Sequence, residues 1–157
     1  MAQVFYDHVQ RGRLHVLLMV VSVPVFVGGL LALDEPLLAA TLIAVAALFV
    51  LLAFSFRELR VRSDGEALEI RLGPLSWMAK TVPFASMRAV APDRTTLIDG
   101  IGMHWIPGRG WIWNVATGPT VRIETEGQTL RVGTDDPEGL LAFLQARTGL
   151  AAGDAAG

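Results

Sequence analysis

The chain has no cysteine, which excludes a disulfide framework, thiolate-bound metals and a cysteine nucleophile. Nor does it carry an excess of basic charge. There are 13 Lys and Arg against 15 Asp and Glu, for a net charge of -2 and a pI near 5.9, so no global positive field exists to gather nucleic acid. The histidines fall at positions 8, 15 and 104, and no HExxH, GxSxG, Walker or paired metal-ligand spacing occurs. The sequence thus offers no catalytic residues, no metal ligands and no cofactor motif, and predicts a protein that is not an enzyme.

Charge of either sign is also missing from residues 14–33 and 36–56. The chain is 52% hydrophobic with a mean hydropathy of +0.48, too apolar for an ordinary soluble domain, and the excess lies in these two runs. The first, LHVLLMVVSVPVFVGGLLAL, has 20 residues; at about 1.5 Å per residue it spans a hydrocarbon core of roughly 30 Å. Pro24 and the Gly28-Gly29 pair would break a water-exposed helix but are tolerated in lipid, with a mild bend predicted at Pro24. The second run, PLLAATLIAVAALFVLLAFSF, is cleaner, and its Thr41 and Ser55 are expected to bond back to their own helix. Only Asp34 and Glu35 separate the runs, which predicts a tight antiparallel hairpin. Ala40 and Ala44, with Ala47 below them, offer a small-residue stripe for Gly28 or Gly29 to pack against.

Arg11 and Arg13 resemble the basic start of a signal peptide. The apolar run is longer than such a segment needs, lacks an Ala-x-Ala site before Asp34 and leads at once into another run, so two spans are the better reading. Arg11 and Arg13 precede the first span, Arg57, Arg60 and Arg62 follow the second, and the turn holds acids but no Lys or Arg. The predicted location is therefore a cell inner membrane, multi-pass, with both termini cytoplasmic: residues 1–13 form a cytoplasmic lead-in, 57–148 a cytoplasmic domain and 149–157 a fraying tail. All five arginines are expected at the membrane interface, with Arg57, Arg60 and Arg62 worth about 1 kcal/mol each against anionic headgroups. His15 is expected to snorkel there.

Beyond Arg57 the apolar period changes to two. Leu59 and Val61 share a face, as do Leu68, Ile70 and Leu72, and Asp64-Gly65 between them predicts a type I′ hairpin. Met87 to Val90, then Trp111, Trp113 and Val115, then Val121/Ile123 and Leu130/Val132 around the turn 126–128 extend a mostly antiparallel sheet, with Arg122, Glu124 and Arg131 expected to face water. The run TDDPEGLLAFLQAR predicts a helix capped by an Asp with Pro137 at its first position and Leu140, Leu141, Phe143 and Leu144 on the buried face.

Six or seven short strands closed by one helix resemble the membrane-flanked pleckstrin-homology-like (PH-like) domains of bacterial membrane proteins. The resemblance rests on LRVRSDGEALEIRLG at 59–73, VPFASMRAVAP at 82–92, GIGMHWIPGRGWIWNV at 100–115 and VGTDDPEGLLAFL at 132–144. It implies an α+β membrane protein in which a transmembrane helix hairpin precedes a PH-like antiparallel barrel or sandwich. The acidic loop 63–66 lacks the basic residues with which phosphoinositide-binding relatives grip their lipid.

The segment 99–114, with its glycines and tryptophans, is the least regular part of the chain. A backbone bent around aromatic rings makes Asp99, His104, Trp105, Arg109, Trp111, Trp113 and Asn114 the candidate partner-binding residues; core packing is the alternative use for the tryptophans. Gly100-x-Gly102 is a turn signal, since a dinucleotide loop needs a further glycine where Trp105 stands. The predicted function is a membrane-anchored, non-enzymatic scaffold that binds a protein partner or forms a homo-oligomer, with the lipid bilayer as its other partner. The alternative is an accessory subunit of a larger membrane transport or envelope complex.

Overall fold

Two helices dominate the first third of the chain. The computed structural model describes residues 5–74, 78–151 and 153. Helix α1 (Leu14–Leu31) and helix α2 (Pro36–Ser55) pack against each other through a four-residue turn. Pro24 is carried within α1 without ending it, and Pro36 occupies the first turn of α2, where a missing amide hydrogen costs nothing. Thr41 and Ser55 donate to the carbonyls of Leu37 and Leu51 at 2.7 and 3.1 Å. The seam between the helices differs from expectation. Ala39, Ala46 and Ala53, seven residues apart, are buried, while Ala40, Ala44 and Ala47 face outward. Seven residues is the repeat at which side chains return to a partner helix in a left-handed pair, so it selects this row of alanines. Gly29 completes the seam, since a Cβ there would lie 2.9 Å from Ile43.

The hairpin is inserted into a sheet. Strand β1 (Asp7–Arg11) precedes α1 and pairs antiparallel with strand β2 (Glu58–Ser63), which follows α2, so that Arg11 faces Glu58 and Asp7 faces Arg62. Strands β3 (Ala67–Leu72) and β4 (Ala79–Pro83) complete this four-stranded sheet. The lead-in before α1 is thus a strand from residue 7 onward, which no signal in the sequence marked; residues 1–4 lie outside the described residues. Both helix feet leave from neighbouring strands.

A 3-10 turn, Phe84–Ser86, switches the chain to a second sheet. That sheet contains β5 (Met87–Thr95), β6 (Gly102–Ile106), β7 (Gly110–Asn114), β8 (Gly118–Thr125) and β9 (Thr129–Gly133), in the order β5-β8-β9-β7-β6. All its pairs are antiparallel except β7 with β9. The two sheets do not close into a barrel: β4 and β5 are consecutive but belong to different sheets, because the 3-10 turn interrupts the ladder between them. The fold is thus α+β, with two apolar helices, two sheets and a C-terminal helix.

The sheets share one core. Leu59, Ile70 and Leu72 from the first meet Val121, Ile123, Leu130 and Val132 from the second, all essentially without exposure. Helix α3 (Pro137–Thr148) seals it with Leu140, Phe143 and Leu144. Asp136 caps α3 by accepting from the Gly139 amide at 3.1 Å, and Gly149 ends it in the left-handed region at φ 72°. The β2–β3 turn is not type I′, which needs positive φ at two positions; only Gly65 has it, and the Asp64 carboxylate instead accepts from the Glu66 and Ala67 amides.

Two further expectations are corrected. Arg131 does not face water: its guanidinium, with 7% of the side chain exposed, donates to Asp93, 4% exposed, at 2.5 Å. The tail does not fray at once, since Leu150 packs on the core and the Gly153 amide donates to the Val90 carbonyl at 2.9 Å. Residues 152 and 154–157 of that tail lie outside the described residues.

Candidate functional site

The helix feet stand on one end of the second sheet. Gly12, just before α1, is so close to Val115 that a Cβ would come within 2.6 Å of its carbonyl, and the Phe56 ring below α2 occupies the space beside Gly102. At this same end the chain leaves β5 at Thr95 and enters β6 at Gly102 through a 3-10 turn, Leu97–Asp99. The candidate segment begins here.

Four of its polar residues converge. Asp99, 5% exposed, closes a capping box: the Thr96 amide and hydroxyl donate to its carboxylate at 2.7 and 3.0 Å. Arg109, reaching back from the β6–β7 turn, donates to the other carboxylate oxygen. The His104 Nε2–H donates to the Asp99 carbonyl at 2.6 Å. Asn114, fully buried, accepts from the Gly102 amide at 2.8 Å and donates to the Gly100 carbonyl at 3.2 Å. Gly100 and Gly102, at φ 79° and 117°, take the left-handed backbone this path requires, and Gly102 does so with the Phe56 ring against it.

The chemistry of this cluster is that of a brace. The Thr96 amide, opposed by burial and assisted by the Arg109 guanidinium, holds the Asp99 carboxyl below the usual carboxylate range. A carboxylate so stabilised and so fully bonded is a poor proton acceptor. Among the described residues no group of three His, Asp or Glu side chains is placed to hold a metal ion.

The aromatic candidates separate. Trp113 is 4% exposed and belongs to the core. Trp111 is half-buried, with the Lys80 ammonium 5.8 Å from its ring centre. Trp105, opposite it on β6, is displayed at 57% exposure beside Met103, on a strand that has no neighbour on its outer side among the described residues. Of the interface arginines, Arg60 is held by Asp7, with its Nε 2.8 Å from one oxygen, and Arg62 by Glu69 at 2.5 Å. Arg11, Arg13 and Arg57 are exposed at the helix feet, without an ion pair among the described residues.

Sequence reasoning missed two features. Tyr6 stacks on Phe143 at 5.3 Å between ring centres, and His8 meets Asp135 at 2.5 Å, so the lead-in strand clamps the start of α3. Burial and the neighbouring Asp136 push the Tyr6 phenol up to about 12. The other is the pair Leu97 and Ile98, 81% and 97% exposed at the outer side of the braced turn; the only signal in the chain was the T-x-x-D spacing around them. No family model, no curated protein and no solved structure matches this chain.

Proposed function

We propose that the protein is a non-enzymatic module anchored in a cytoplasmic membrane, whose helix hairpin crosses the bilayer and whose β domain, PH-like in organisation, presents a protein-binding or self-association surface at the inner face. The observation that carries this reading is the inverted packing of the hairpin. Only 11% and 17% of the apolar windows of α1 and α2 are buried, and residues such as Leu17, Val20, Leu37 and Leu51 point outward. A soluble protein does not leave so much apolar helix in water. Because β1 and β2 are adjacent, both feet emerge on one side, and Arg11, Arg13 and Arg57 gather there while Asp34 and Glu35 occupy the opposite turn. That asymmetry orients the feet and the β domain toward the cytoplasm.

Two sheets over one core with a sealing C-terminal helix support the PH-like reading. The surface best suited to a partner is the open edge of β6, where Trp105 and Met103 are displayed. A photo-crosslinking residue at position 105 tests it in intact cells. The reading predicts a discrete adduct that Met103→Asp abolishes; a chain that stays monomeric and uncrosslinked contradicts it.

One observation favours the accessory-subunit alternative. A cleft of about 450 Å³ lined by Ser22, Val23, Phe26, Ile43, Ala46, Ala47 and Val50 opens between the helices, close to the outward alanine row. Its lining includes Ser22, Ala46 and Ala47, small residues of the kind against which a further transmembrane helix packs closely. Ala40→Leu with Ala44→Leu leaves the hairpin's own seam intact and disrupts assembly only in that case.

A further inference from the structure

The turn between β5 and β6 combines rigidity with an apolar tip. Thr96, Asp99, His104, Arg109 and Asn114 fix its backbone through the bonds described above, yet its apolar side chains, Leu97 and Ile98, are 81% and 97% exposed. Adjacent aliphatic residues this exposed are normally placed against something, and a braced backbone removes much of the ordering cost of placing them. The position of the turn identifies the occupant. It joins Thr95 to Gly102, and Gly102 lies against the Phe56 ring at the foot of α2. The chain therefore leaves β5 for this turn at the end of the sheet on which the helix feet stand, and the solvent around those helices, on the reading above, is lipid.

We infer that Leu97 and Ile98 form a fixed apolar wedge that enters the headgroup and upper acyl region of the bilayer beside the foot of α2, giving the β domain a third membrane attachment besides the two helix feet. The inference rests on the membrane reading of α1 and α2. The wedge sets the tilt of the β domain: two feet define a hinge line, and a contact away from that line stops rotation about it. Asp99, His104, Arg109 and Asn114 thus act as positioning residues for the wedge. None of them needs to touch lipid.

The absence of cysteine allows a direct test in the full chain. Ile98→Cys, Val20→Cys and Gly127→Cys are each labelled with an environment-sensitive fluorophore and reconstituted in phosphatidylethanolamine–phosphatidylglycerol vesicles. Val20 faces outward on α1, and Gly127 is exposed in the β8–β9 turn, at the end of the second sheet opposite Thr95 and Gly118. The wedge predicts that the label at 98 is blue-shifted, quenched by nitroxide lipid and shielded from aqueous iodide, as at 20, while the label at 127 behaves as in water. Adding Asp99→Ala should weaken the lipid quenching at 98 and leave that at 20 unchanged. Water-like behaviour at 98 with lipid quenching at 20 overturns the wedge and leaves the membrane reading standing. A blue-shifted label at 98 that lipid nitroxide does not quench means that protein, such as a second copy, covers the tip, and also overturns it. Loss of lipid quenching at 20 removes the membrane reading itself, and the wedge with it.

Discussion

The helix hairpin and the β domain are built inside out with respect to each other. In the hairpin the large aliphatic side chains point outward, and the inward seam is made of Ala39, Ala46, Ala53 and Gly29, with Ser22 and Ser55 also buried. In the β domain Leu59, Ile70, Ile123 and Leu130 point inward, and the arginines of β2 point out. One chain thus follows opposite burial rules in two regions joined by adjacent strands. On the proposed membrane reading the regions fold in different solvents: hydrophobic burial organises the β domain, whereas close backbone approach and helix-to-helix fit organise the hairpin, because lipid is as apolar as leucine.

The sharpest way to stress this contrast is at the Asp93–Arg131 pair, where the side chains of both charged partners are buried. Removing one partner from the Asp93–Arg131 pair leaves the other uncompensated, so Asp93→Ala should cost about 3–5 kcal/mol. Thermal denaturation in mild detergent, followed by tryptophan fluorescence, reads that loss from the β domain, while the helix content of the hairpin stays. A leucine comparison comes next. Leu130→Ala creates a cavity in the shared core and should cost about 2–5 kcal/mol, whereas the same change at Leu17, 58% exposed on α1, should cost little in the same assay. Equal costs would erase the distinction between the two regions.

Within the hairpin, overpacking should discriminate the two alanine rows. Ala46→Leu, in the seam, should destabilise helix association by about 1–3 kcal/mol, as measured by crosslinking between cysteines placed on α1 and α2; Ala40→Leu should leave the crosslinking efficiency unchanged. The smallest effect concerns the clamp between β1 and α3. The Tyr6 phenol is raised in the folded state to about 12, above the usual value near 10, so the folded protein holds the proton more tightly. Its contribution is fully present below about pH 10 and is lost as pH rises through about 12. Tyr6→Phe should flatten this alkaline limb in denaturation midpoints measured against pH; an unchanged limb would show that Tyr6 does not produce it.

The elements that were legible in the sequence are those where one rule acts alone. Charge-free runs of span length gave α1 and α2, strict alternation marked β2, β3, β8 and β9, and the D-P-E start with its apolar stripe marked α3. Strand β1 was illegible because DHVQR buries only Gln10; its partners are supplied by a strand beyond the hairpin. The alternation argument misplaced Arg131 because it assumes one wet face, and the second sheet has its other face covered as well at Ala91, Ile112, Asn114 and Thr120. The candidate segment was recognised as unusual by its composition, but not in its division of labour: polar residues turned inward as a brace, Trp113 in the core, and Leu97 and Ile98 outside.

The central claim, that the hairpin crosses the membrane and leaves both feet and the β domain on the cytoplasmic side, is tested most directly by protease applied to right-side-out and inverted membrane vesicles. The account predicts digestion of the β domain only in inverted vesicles, with a protected fragment corresponding to the two helices. Digestion of that domain in sealed right-side-out vesicles, or release of the intact chain by alkaline carbonate, would contradict it.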